Sequence, residues 1–276
     1  MKKLILSFIC NLWNIGIMFP LCFIVRMDAK EFTKQSNAKL IVMNSYRKKG
    51  KDIESKSQYG QELFIYEQVF NKKPNGVFVE VGGNDPVLLN NTYALEKMGW
   101  SGIAFEPMDY LREKWEIERI AKCYPYVIGD KEGWVEFNEV IEHDLESASP
   151  KRKKTGHGQG VMSSVAGYGR SLDKLGSFAI NTVKKQMCTL ENILHELEMQ
   201  HIDVMFVDVE GFEFAVLSGI DFSKVSIGCI CVEAPILCKE TSRLRAILVK
   251  KGYALIAHIG GDDIFLRNDL VLQKNI

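Results

Sequence analysis

Four acidic residues, Glu80, Glu106, Asp130 and Asp208, each stand at or near the end of a short apolar run that reads as a β-strand. Behind the first comes Gly82–Gly83–Asn84–Asp85, inside the stretch VFVEVGGND of Val77–Asp85. Glycine permits dihedrals and close approaches that a Cβ would block. In open α/β sheets, ligands settle at the carboxyl ends of the strands. A carboxylate placed there can accept from both hydroxyls of a ribose, and a second acid or amide can accept from an adenine amino group. The chemistry expected of these residues is recognition of a nucleoside-bearing cofactor.

The loop itself narrows the choice. A dinucleotide site expects G-x-G-x-x-G opening a helix that faces a pyrophosphate. Gly82–Gly83–Asn84–Asp85–Pro86 lacks that spacing and places an aspartate where a phosphate would be repelled. An acidic loop suits a positively charged cofactor, and S-adenosylmethionine carries a sulfonium and an ammonium group. The expected cofactor-binding set is Glu80, Gly82, Gly83, Asn84, Asp85, Glu106, Gly129, Asp130 and Asp208.

These residues need a scaffold that brings strand ends together, and the pattern from residue 59 onward supplies one. Helical spacing over Gln61–Phe70 precedes a strand at Val77–Val81. A helix over Asn91–Met98, with Asn90 or Asn91 as cap, leads to a strand at Gly102–Phe105. A helix over Tyr110–Ala121 and a strand over Tyr124–Ile128 come next, then an alternating, exposed strand over Gly133–Val140. Residues 142–182, rich in Ser, Gly and Lys, read as a lid-like insertion. Strands at Val183–Met187, Val204–Asp208 and Gly228–Val232 alternate with helices at Leu190–Met199, Phe212–Leu217 and Arg243–Lys251. Tyr253–His258 and Ile264–Arg267 close as an antiparallel pair. Such alternation implies βαβ units, hence an α/β fold with a mostly parallel, doubly wound sheet.

With 276 residues, 46% of them hydrophobic, the chain can bury one sizeable domain. Its 35 basic and 35 acidic residues cancel, so no electrostatic footprint for nucleic acid is present. The basic runs at Arg47–Lys51 and Lys151–Lys154 sit beside Gly and Ser and read as solvated loops. The seven cysteines show no zinc-ligand spacing, and Cys229 and Cys231 alternate along a strand as buried thiols. Leu4–Val25 is apolar and uncharged, about the roughly 20 residues that cross a bilayer core. No small-residue cleavage site follows it, which favours an uncleaved membrane anchor over residues 1–26. Flanking basic residues lean toward a cytoplasmic C-terminal domain. A cleaved signal leading into the secretory pathway, or an interfacial segment, stays open. Residues 27–58 read as a polar linker, and 59–276 as the folded domain.

Three blocks, VFVEVGGNDPVLLNNTYALEKMGWSGIAFEP, VIGDKEGWVEF and IDVMFVDVEGFEFAVLSGIDF, together with GYALIAHIGGDDIFLRNDL, resemble the FkbM-type methyltransferases over about residues 59–270. The resemblance implies a class I Rossmann-like methyltransferase fold, S-adenosylmethionine as cofactor, and O-methylation of a hydroxyl on a sugar, glycan or related small molecule. It places Glu80, Gly82, Asn84 and Asp85 in the first cofactor loop and gives Glu106 the ribose. Gly129–Asp130 falls near adenine, and Asp208, Glu210 and Gly211 beside the methyl acceptor. Asp208 is then the expected general base, with Glu210 as its neighbour or as a loop-orienting group. Phe212, Glu233 and His258 are candidates for the acceptor pocket. No ligand spacing compels a metal. Pro86 stands where many members carry glycine, and its ring excludes positive φ there. The competing reading is a membrane-tethered binding or scaffold protein that keeps the fold without the chemistry. A third reading, a nicotinamide enzyme, would bind NADH and ignore S-adenosylhomocysteine.

Overall fold

The computed structural model describes residues 40–46, 54–142, 162–168, 178–234 and 239–274. The apolar segment 4–25, and with it the anchor reading, lies outside these residues. No helix among the described residues is long and apolar enough to cross a membrane.

Eight strands make the main sheet. They are β1 (Ile41–Met43), β2 (Val77–Val81), β3 (Ser101–Phe105), β4 (Lys122–Tyr124), β9 (His201–Val207), β10 (Ser226–Glu233), β11 (Tyr253–Ile259) and β12 (Asp262–Arg267), in the order β1-β11-β12-β10-β9-β2-β3-β4. The expectation of a mostly parallel sheet is refined to a mixed one. β4, β3, β2, β9 and β10 run parallel, β12 is inserted antiparallel between β10 and β11, and β1 joins the β11 edge in parallel. The chain starts the parallel set in the middle with β2, winds outward through β3 and β4, then returns to β2's other side with β9. Strand order therefore reverses between β2 and β9, and a crevice opens outside the carboxyl ends at such a point.

Period-two alternation sends side chains to both faces of the sheet. Val79, Val81, Met205, Val207, Ile230 and Val232 pack under α4 (Leu190–Glu196), α5 (Glu213–Ser218) and α6 (Lys239–Lys250). Phe78, Val204, Phe206, Cys229 and Cys231 pack on the other face. They are covered by α1 (Gln61–Phe64) with the π-turn Ile65–Val69, by Leu95 of α2 (Tyr93–Lys97) and by Val271 of α7 (Asn268–Lys274). Strands buried on both faces are near-continuous apolar runs, which is why β2, β9 and β10 are legible from sequence. Burying each such Val, Ile or Phe stabilises the fold by about 1.5–3 kcal/mol.

Three sequence readings change. The strand expected over Tyr124–Ile128 is two strands, β4 and β5 (Val127–Gly129), in different sheets. Pro125 separates them; it has no N–H to give a ladder. The segment 142–182 is not wholly an insertion. β6 (Gly133–Glu142) and β8 (Phe178–Thr189) reach into it as an antiparallel ladder, and β7 (Ser164–Val165) adds to β6. With β5 these form a second sheet, ordered β5-β8-β6-β7. The polar linker expected over 27–58 contains β1, and Ser57 is fully buried against Gln61 and Glu62. A three-residue edge strand inside polar sequence is too short to show periodicity.

Candidate functional site

Register defines the site. Phe105, Val81, Val207, Val232 and Asp263 are successive cross-strand partners on β3, β2, β9, β10 and β12. One residue further toward the rim lie Glu106, Gly82, Asp208, Glu233 and Asp262. Four acids and one glycine thus share a row across the reversal point. At about 4.8 Å between strands the row is about 20 Å long.

The glycine sits at the reversal. Gly82 has φ +85°, and a Cβ on it would lie 1.8 Å from the Asp208 carbonyl oxygen. Its neighbour Gly83 backs onto the Trp115 ring of α3 (Asp109–Glu118), where a Cβ would come within 3.0 Å. Asn84 (φ 41°) and Leu89 (φ 57°) are the other left-handed positions of this loop, and Pro86 is not among them. The Asn84 amide donates to Glu106 at 2.8 Å, and the Trp115 indole donates to the Asn84 carbonyl at 2.9 Å. Asp85 folds back to accept from the amides of Val87 and Leu88.

The acids are not equivalent. Both oxygens of buried Glu106 accept backbone amides, from Asn84 and Met108. Burial still pushes its carboxyl up to about 7. Glu80 lies two residues below the row, level with Ala104 and Phe206. It is buried beneath the loop, where it accepts from the Asn91 amide and from the side chains of Asn90 and Thr92. Burial raises it to about 7 against the opposing pull of the Arg119 guanidinium. Asp130 follows β5 in the second sheet, exposed, with the end of α5 packed close to its backbone at Gly219. Gly129 borders the Phe212 ring, where a Cβ would lie 3.1 Å from it.

At the centre, carboxylate oxygens of Asp208, Glu213 and Glu233 lie within 4.8 Å of one another. Asp208 opens to solvent yet is ringed by protein. Its carboxyl is raised well above the usual range, first by that desolvation and then by Glu233, Glu210, Asp262 and Glu213. Asp262 is driven up to about 8 by burial, then by Glu233 and Asp263. Glu210 holds a left-handed φ of 53° beside Gly211. The turn is closed by Glu213, whose Oε1 accepts from Val209 and Gly211 at 3.2 and 2.9 Å. His258 is buried among the groups facing α6: its Nδ1 meets Asp263 at 2.7 Å, and Asp263 also binds Arg245. Two sequence-distant segments meet where Tyr168, after β7, sets its ring edge-on to Phe212 at 4.7 Å between centroids.

A model of the FkbM methyltransferase domain matches residues 80–255. The chain belongs to the FkbM methyltransferase family. No curated protein matches it. Within this FkbM domain, Glu106, Gly82, Asp208 and Glu233 come together on one rim, with Glu210 and Phe212 beside them. Glu80 lies under that rim, His258 on the α6 side, and Gly129–Asp130 on the second sheet. Sequence reasoning passed over Glu213, Asp262 and Tyr168. Glu213 and Asp262 stood inside the resembling blocks, as the single acid of GFEF and the first of the two in GGDD. Tyr168 had no periodic signal, because its place depends on a two-residue strand.

Proposed function

We propose that this FkbM methyltransferase takes the methyl group from S-adenosylmethionine and places it on a hydroxyl of a sugar, glycan or related small molecule, using a class I Rossmann-like arrangement. The observation that carries the reading is the single row of Glu106, Gly82, Asp208 and Glu233 at the strand reversal. Carboxylates crowded enough to raise one another's proton affinity are stabilised by a cationic ligand. The loop at Gly82 has no room for a side chain and so admits close backbone approach. Both features fit an adenosyl sulfonium.

Bound there, the cofactor supplies an electrophilic methyl carbon. Glu106, held by two amides, keeps a second lone pair on each oxygen for ribose hydroxyls. Gly82, Gly83, Asn84 and Asp85 shape the wall that fixes the cofactor in line with its acceptor, and proximity of this kind is a large part of such catalysis. Asp208, with raised proton affinity and an opening to solvent, would accept the acceptor's hydroxyl proton as the methyl passes to that oxygen, its bond to sulfur breaking to leave S-adenosylhomocysteine. A base in this role contributes about 10²–10⁴-fold. Glu233 and Phe212 border the acceptor. The apolar segment 4–25 would hold the enzyme at a membrane, which suits a glycan or lipid-linked acceptor.

The test is transfer of tritiated methyl from S-adenosylmethionine to a panel of sugars and lipid-linked sugars. The Asp208→Asn variant should lose at least a hundredfold in rate and keep S-adenosylhomocysteine affinity within about threefold. Undiminished turnover in that variant would remove Asp208 as the base.

A further inference from the structure

One buried cation lies directly behind the cofactor loop, and neither the sequence pattern nor the family match assigns it a role. Arg119, at the end of α3, has a fully buried side chain. Its guanidinium makes four hydrogen bonds: Nη1 to the Pro86 carbonyl and to Asn90 Oδ1, both at 2.9 Å, Nη2 to Thr92 Oγ1 at 3.0 Å, and Nε to Glu96 Oε1 at 3.0 Å. Its Cζ lies over Trp115, 4.3 Å from the ring centroid. Three of those bonds land on the second half of the loop, and Trp115 itself holds the first half through the Asn84 carbonyl. Asn90 Oδ1 in turn accepts the Thr92 and Tyr93 amides that open α2, while Asn90 and Thr92 donate to Glu80.

We propose that Arg119 is a positioning residue that sets the shape of the cofactor loop, acting through the Pro86 carbonyl, Asn90 and Thr92 without touching the cofactor. The proposal rests on the cofactor reading above. Its physical basis is the planar fork. Two carbonyl oxygens, a hydroxyl and a carboxylate are reached at once from one rigid group, whose charge also sits over the indole face. A lysine brings one charge to one point and cannot span them. A loop that approaches its ligand through backbone atoms depends on being held in one conformation, since looseness there enters directly as weaker binding.

The experiment compares full-length wild type with Arg119→Lys and Thr92→Val, and with Asp203→Asn as a structural control. Asp203 binds Lys73 and the Val77 amide at the opposite end of β9 and β2, remote from the rim. Calorimetry with S-adenosylhomocysteine gives affinity, thermal unfolding gives stability, and hydrogen exchange in the ligand-free protein gives the order of residues 84–92. Expected are at least a tenfold weaker affinity and at least tenfold faster exchange of 84–92 in Arg119→Lys. Smaller changes of the same sign follow in Thr92→Val, and Asp203→Asn stays within threefold in both readouts despite lower stability. Loop exchange and affinity that follow stability alone, alike in Arg119→Lys and Asp203→Asn, would overturn the positioning role and leave the cofactor reading standing. Wild type that does not bind S-adenosylhomocysteine would overturn the cofactor reading and this proposal with it.

Discussion

Asp262 stands half-buried at the end of the rim, where it accepts from the Gln61 amide at 2.6 Å and is crowded by Glu233 and Asp263. Its folded proton affinity, raised to about 8, exceeds that of an unfolded aspartate near 4. The folded state therefore binds the proton more tightly. The stability this contributes is fully present below about pH 4 and is lost as pH rises through about 8. Glu80 and Glu106, raised to about 7, act in the same direction. Between pH 6 and 8 the slope from one such group has a ceiling of about 1.4 kcal/mol per pH unit. The Asp262→Asn variant should flatten the fall of the thermal midpoint between pH 6 and 8, because it removes a titrating group and leaves a neutral side chain. An unchanged slope would show that Asp262 is ionised or solvated at neutral pH. Among single residues, Asp208 and Glu233 were legible as site candidates because each ends an apolar run. Glu80 stands near the end of one too, but it lies two residues below the rim, and the loop folds over it and buries it.

At the scale of elements, the turn joining β2 to the loop is the most constrained piece of the site. Gly82→Ala brings a methyl into the Asp208 carbonyl, 1.8 Å away before relaxation, on a backbone at φ +85°. Both strain and overpacking follow, at a cost of about 1–3 kcal/mol or more. Urea unfolding should show that loss, and S-adenosylhomocysteine affinity should fall at least tenfold, since relief requires β2 and β9 to part where the cofactor would lie. Full affinity in Gly82→Ala would mean that the cofactor does not approach this turn. The elements that built this turn were readable because both strands are buried on two faces. Of the second sheet, the cores of β6 and β8 were readable, while β7, β5 and the full reach of β8 were not. β7 has two residues, the first half of β8 mixes apolar and polar residues without a period, and Pro125 divides one apolar run between two sheets. Local pattern carries no information about which sheet a strand joins.

For the molecule as a whole, winding out from β2 and back to β9 places one edge of four parallel strands and one antiparallel strand around a single crevice. The βαβ alternation made this general plan legible. It did not reveal β1, whose pairing with β11 joins residues 216 apart in sequence, such as Ile41 and Ala257, nor the insertion of β12 between β10 and β11. Neutral net charge leaves attraction of a cationic cofactor to this local concentration of carboxylates rather than to the long-range field. The most direct measurement is calorimetric titration of the full-length protein with S-adenosylhomocysteine and, separately, with NADH. Saturable one-to-one binding of S-adenosylhomocysteine, with no heat from NADH, is the expected result. No binding of S-adenosylhomocysteine, or binding of NADH in its place, would contradict the claim that this rim holds the adenosyl cofactor of a methyltransferase.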